Sequence, residues 1–155
     1  MKKCLLAASL LMLCITSTAQ KKTITVSKAK IGTLSCSVES EINMLSKDTF
    51  NYIFISFKNA KYSSITDIAS LFFLQSDIYD IKDFIDDLKA AEKEMDIKQT
   101  IEWRRDKYVL NIYEFNKGKL YIEEPKKYAG YTAINKNQTG QLIKWLENNA
   151  LKETP

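Results

Sequence analysis

The chemistry open to this chain is bounded first by what it lacks. None of its 155 residues is a histidine, which excludes Ser-His-Asp and Cys-His nucleophiles, histidine general bases and the usual zinc centres together. The four glycines have neither phosphate-loop nor dinucleotide-fold spacing. Asp77-x-x-Asp80-x-x-Asp83 follows a helical period, not the two-residue spacing of a calcium loop. No cofactor or metal is expected. Carboxylate chemistry remains, since two acids suffice for glycoside hydrolysis. The adjacent pairs Asp86-Asp87 and Glu123-Glu124 point apart on a helix or strand. A carboxylate-dependent hydrolase would therefore need two acids from distant segments facing one cleft.

Binding chemistry is better supplied. Arg104, Arg105 and Lys107 follow Trp103 in the densest basic patch. Its simplest reading is a solvated hairpin turn whose Arg stems cover Trp103; a sharper one is a contact for an anionic ligand or a partner, with planar guanidinium groups gripping carboxylate or phosphate. Lys126-Lys127 beside Tyr128 is a second basic site. The Lys/Tyr alternation of Lys117-Gly118-Lys119-Leu120-Tyr121 suits a protected sheet edge. Asn137-Gln138-Thr139 fits the glycosylation pattern and, more simply, a helix cap.

The elements that must position these groups follow from periodicity. Thr23–Val26, Thr33–Glu39, Tyr52–Phe57 and Ala69–Leu74 read as four strands. The third is apolar on both faces, which predicts a central position. Ser76 and Asp77 offer N-cap oxygens, and Ile78, Ile81, Phe84, Ile85 and Leu88 share one helical face to about Met95. The acids of this helix lie mostly off that stripe and read as a solvated face. Strands resume at Thr100–Trp103, Tyr108–Phe115, Leu120–Glu123 and Tyr128–Ile134, with a turn at Asn116–Lys119 that places Gly118 at positive φ. Asn135 or Asn137 then caps a final helix carrying Leu142, Ile143, Trp145 and Leu146 to about Asn149, and 151–155 read as a disordered tail.

Ahead of these elements, Met1-Lys2-Lys3 precedes the charge-free run Leu5–Ile15, and Ser17-Thr18-Ala19 supplies small residues. That order predicts a cleavable secretory signal peptide over 1–19, cut after Ala19, and a periplasmic or secreted product. Leu13 before Cys14 argues against lipidation. No later apolar run approaches the ~20 residues of a membrane span. Cleavage would remove Cys4 and Cys14, leaving Cys36 alone as a small buried residue. It would also remove Lys2 and Lys3 from a formal charge of +4, too little charge to argue for a polyanionic partner.

The expected fold class is α+β: antiparallel sheet in a ββββα-ββββα order, one domain over 20–150, with two amphipathic helices packed on the sheet. Possible repeats span 23–95 and 99–149. Tyr52-Ile53-Phe54 matches Tyr108-Val109-Leu110, and Phe84-Ile85-x-x-Leu88 matches Leu142-Ile143-x-x-Leu146.

This element order resembles the Whirly and PC4/PUR group of single-stranded nucleic-acid binders, which are built from repeated ββββα units. The resemblance covers nearly the whole chain after residue 19. It implies a sheet surface lined with cations and rings on which bases stack, with Trp103, Arg104, Arg105, Lys107, Tyr113, Tyr121, Lys126, Lys127 and Tyr131 as its candidates. Export counts against nucleic acid as the natural ligand. The missing catalytic groups and the surplus of aromatics favour an exported, non-catalytic protein of the cell envelope that binds a protein or anionic ligand through an aromatic sheet surface. Nucleic-acid binding and carboxylate-dependent hydrolysis are the alternatives.

Overall fold

Alternation along Leu34-Ser35-Cys36-Ser37-Val38 sends every second side chain into a core, and the same period recurs along Ile53-Phe54-Ile55-Ser56-Phe57. A computed structural model describes residues 21–60, 68–125 and 130–151. The expected export segment, Lys126 and Lys127 lie outside the described residues, as does the tail beyond Leu151; Leu151 itself packs against the core.

The first sheet is an antiparallel meander of β1 (Lys21–Ile31), β2 (Leu34–Asn43), β3 (Thr49–Lys58) and β4 (Ile68–Leu74), in that spatial order. Helix α1 (Ile78–Glu94) follows. The second sheet repeats the pattern with β5 (Ile101–Arg104), β6 (Val109–Ile112), β7 (Lys119–Glu123) and β8 (Tyr131–Asn135), and α2 (Lys136–Asn149) closes the chain. The class is α+β with the expected ββββα-ββββα order.

Several boundaries differ from the sequence expectation, each for a physical reason. β1 begins at Lys21 and runs to Ile31, with a bulge between Thr25 and Ser27. Most of its side chains are exposed, so hydrophobic alternation under-reports its length. β6 ends at Ile112, and Tyr113 to Phe115 leave the ladder. Asp77 is the N-cap residue of α1 but makes no side-chain cap bond, because its carboxylate is taken by Lys107 at 3.1 Å. At α2 the expected cap forms in full. Asn135 Oδ1 accepts from the Gln138 amide at 2.9 Å, and Gln138 Oε1 accepts from the Asn135 amide at 2.9 Å, a capping box. Gly118 has φ +71° in the β6–β7 connection, as the turn requires.

The two halves share one core. α1 lies against α2 and contacts β4 of its own half and β6 of the other; α2 contacts β7 and β8 and also β1. Phe57, Phe73, Phe84, Tyr108, Leu110 and Leu142 therefore belong to a single buried cluster. The sheets also meet directly. The Ala60 amide donates to the Tyr131 carbonyl at 2.8 Å, the Tyr131 amide donates to Asn59 Oδ1 at 3.4 Å, and the Thr33 and Thr132 hydroxyls share a 2.6 Å hydrogen bond. Gly130 belongs to this junction, where a Cβ would come 2.6 Å from the Ala69 Cβ. Among the described residues no helix is long and apolar enough to cross a membrane.

Candidate functional site

The register of the second sheet sorts the candidate residues by face. Ile101, Trp103, Leu110, Ile112, Leu120, Ile122 and Ile134 pair across strands on the core side. Trp103 stands opposite Leu110 and packs, half-buried, against the core. Glu102, Arg104, Asn111, Tyr121, Glu123 and Tyr131 alternate onto the other side.

On this outer face the rings form a row. Tyr121 lies 4.9 Å from Tyr113, edge to face, and 5.8 Å from Tyr131, while Phe115 stacks on Tyr113 at 5.4 Å. Such spacings are those of interacting aromatic pairs. Phe115 is 79% exposed and the three tyrosines are half-buried. Polar contacts hold the row in place. Glu123 Oε1 accepts from Asn111 Nδ2 at 2.9 Å and from the Tyr113 hydroxyl at 3.3 Å. Asn116 Nδ2 donates to the Tyr121 hydroxyl. Burial, with the nearby Glu123 charge and its hydrogen bond, raises the Tyr113 phenol above its ordinary range; burial raises Tyr121 as well. Both rings therefore present neutral phenols at physiological pH.

Arg104 borders the row but is matched by Glu102, with Nε 2.9 Å and an Nη 3.3 Å from the two carboxylate oxygens. That contact lowers the Glu102 carboxyl and raises the Arg104 guanidinium. Arg105 and Lys107 turn the other way, onto α1. Arg105 Nε reaches Asp87 Oδ2 at 3.0 Å and an Nη reaches Oδ1 at 3.4 Å, with Asp83 at 3.8 Å. Lys107 Nζ sits 2.6 Å from Asp80 and 3.1 Å from Asp77, and 5.9 Å from the centre of the Phe73 ring. Between the cations, Tyr108 donates its hydroxyl to Asp87 at 2.8 Å and packs its ring on Phe84 at 4.5 Å.

The hairpin joining β5 to β6 is thus clamped to α1 by the acids that periodicity placed on a solvated face. Asp87 departs from that expectation outright, being 8% exposed. The shallow cleft beside this clamp, about 290 Å³, is lined by Asp80, Asp83, Asp106, Arg104, Arg105, Lys107 and Tyr108. Its Asp80 and Asp83 carboxylates are engaged by Lys107 and Arg105. Among the described residues no group of three Cys, Asp or Glu is placed to hold a metal ion.

The structure therefore brings Tyr113, Tyr121 and Tyr131 together with Arg104 at their border, and separates them from Arg105, Lys107 and the inward Trp103. Sequence reasoning missed Phe115, whose stacking depends on the chain leaving the β6 ladder after Ile112. It also missed a second aromatic surface on the first sheet, where Phe50, Tyr52, Phe54, Phe72 and Leu74 line a groove of about 360 Å³ with Glu41. The available signal was the two-faced apolarity of β3, which serves the core with Ile53, Ile55 and Phe57 and leaves Phe54 half-exposed. Compared with known proteins, the chain matches no family model and no curated protein.

Proposed function

We propose that this chain is an exported, non-catalytic binding protein of the cell envelope, which holds a protein partner against the outer face of its second sheet. The observation that carries this reading is the ring row of Phe115, Tyr113, Tyr121 and Tyr131, lying on a sheet and braced by Asn111, Asn116 and Glu123. Rigid tyrosines supply large contact area at low entropic cost, and aromatic residues dominate the energetics of protein interfaces. The neighbouring Glu102–Arg104 pair supplies a polar border.

Single-stranded nucleic acid is the competing occupant, favoured by the ββββα order and by the stacking surface. Charge weighs against it. Among the described candidate cations, Arg104 is matched by Glu102 and Arg105 and Lys107 by the acids of α1, and Glu123 stands among the rings. A phosphate backbone needs free cations along its path.

The test is capture from envelope extracts by the purified protein, compared with Phe115→Ala and Tyr121→Ala variants, alongside anisotropy of a labelled oligonucleotide across a salt series. A partner held by the parent and lost by both variants supports the reading. Identical capture by all three proteins overturns it, and salt-sensitive oligonucleotide binding lost on Tyr121→Ala replaces it with the nucleic-acid reading.

A further inference from the structure

The outer face of the first sheet is a second surface, on the other half of the chain from the tyrosine row. Its cross-strand rows can be read from the register. One row holds Lys30, Ser35, Ser56 and Ser70; the next Lys28, Ser37, Phe54 and Phe72; the next Thr25, Glu39, Tyr52 and Leu74; and the last Thr23, Glu41 and Phe50. Phe50 and Phe72 are 55% and 45% exposed, and Ile68 at the end of β4 is 68% exposed. Tyr52 and Phe72 lie 5.1 Å apart. Contiguous exposed apolar surface of this kind marks an interaction site.

The acids on the face already have partners within the chain. Glu39 accepts from the Ser37 hydroxyl at 2.9 Å and from the Tyr52 hydroxyl at 3.3 Å, and Glu41 is paired with Lys21 at 2.7 Å. Glu41 therefore keeps its countercharge when the face is covered, and Glu39 keeps a hydroxyl donor on each carboxylate oxygen, which lowers the desolvation cost that opposes association.

We propose that the occupant of this face is a second copy of the chain, packed sheet on sheet about a two-fold axis that crosses the strands between the Phe54–Phe72 row and the Tyr52–Leu74 row. Three observations favour a second copy. The first is size. With strands ~4.8 Å apart and a rise of ~3.4 Å per residue, four strands and the length of β3 make a face of roughly 600 Å² in projection. Side-chain relief brings its accessible area close to the ~800 Å² per partner of a standard interface.

The second is self-complementarity. The two-fold sets Phe54 and Phe72 against the partner subunit's Tyr52 and Leu74, sets Ser35 and Ser37 against the partner's Glu41 and Glu39, and opposes no like charges; this is the pattern an isologous interface requires. The third is the edge. β1 carries Lys22, Lys28 and Lys30 and a bulge after Thr25; such features discourage pairing along the β1 edge, so that edge does not compete with the face.

Sedimentation equilibrium of the purified protein over roughly two decades of concentration tests this. A reversible dimer is expected, and Phe72→Glu raises its dissociation constant about 30-fold or more, as loss of a central hot spot does. Phe115→Glu, on the other sheet, leaves it unchanged. Phe50→Glu, 55% exposed and in the row that the two-fold sets against the partner's Ser56, repeats the effect of Phe72→Glu in a position the core does not use, so a misfolded Phe72 variant does not obscure the result. A monomer throughout, or a dimer indifferent to both substitutions, overturns the proposal and leaves the tyrosine-row reading untouched.

Discussion

Asp87 accepts two contacts that no other carboxylate of α1 combines: the Tyr108 hydroxyl at 2.8 Å and the Arg105 guanidinium at 3.0 Å. It is the point at which the β5–β6 hairpin is fastened to the helix of the preceding half. A buried acceptor that serves a buried hydroxyl is costly to remove, because the donor left behind keeps its desolvation penalty. Asp87→Ala is expected to destabilise the protein by about 2 kcal/mol and Tyr108→Phe by about 1 kcal/mol. Urea unfolding of the two variants beside the parent measures this, and a pair of midpoints equal to the parent's would show the clamp to be idle.

Stability should fall at alkaline pH, and Cys36 sets much of the slope. Burial pushes its thiol from 9.0 up to about 12. Below pH 9 the thiol is protonated in both the folded and unfolded chains, so its contribution is fully present. Between 9 and 12 only the unfolded chain ionises, which drains stability as pH rises. Moving from about pH 8 to about pH 10.5 should remove roughly 2 kcal/mol through this group alone. Tyr108, also raised by burial and by Asp87, adds to the loss above pH 10. Cys36→Ala, although less stable at neutral pH, should show a flatter decline in denaturant titrations at the two pH values.

The capping box at α2 predicts a separate, pH-independent cost. Asn135→Ala removes the acceptor for the Gln138 amide and should lower stability by about 1 kcal/mol, whereas Asn135→Asp or Asn135→Ser should retain most of it. Thermal unfolding of the three variants ranks them.

The export reading predicts a mature product that begins at Gln20. Intact mass and N-terminal sequencing of the protein recovered from a secreting host check this. A product retaining Met1 to Ala19 would contradict it, and an Ala19→Arg precursor should accumulate uncleaved.

Local pattern carried much of the architecture. The stripe Ile81, Phe84, Ile85 and Leu88 is buried as its spacing requires, Asn135 caps α2, and the eight strands fall into two runs of four, each closed by an expected helix. What escaped depends on partners far along the chain. Asp87 lies among charged neighbours on α1, and its burial is created by Tyr108 and Arg105, 21 and 18 residues away. Arg105 and Lys107 look like a free basic patch until α1 is laid beside them. The tyrosine row was visible only as scattered rings, because Tyr121 and Tyr131 become neighbours through the register of β7 and β8, and Tyr113 joins them where the chain leaves β6.

The crossing of α1 onto β6 and of α2 onto β1 also governs the order of assembly. A nascent chain that has released only its first ββββα unit has no α2 to seat beside β1 and no β6 to receive α1. Apolar surface at Ile31, Phe73 and Phe84 must stay open until the C-terminal segment arrives. Closure of such sequence-distant contacts slows folding and lengthens exposure to aggregation. Truncation before Lys136 should therefore yield an insoluble fragment and not a smaller folded domain, and the whole chain should unfold in one cooperative step.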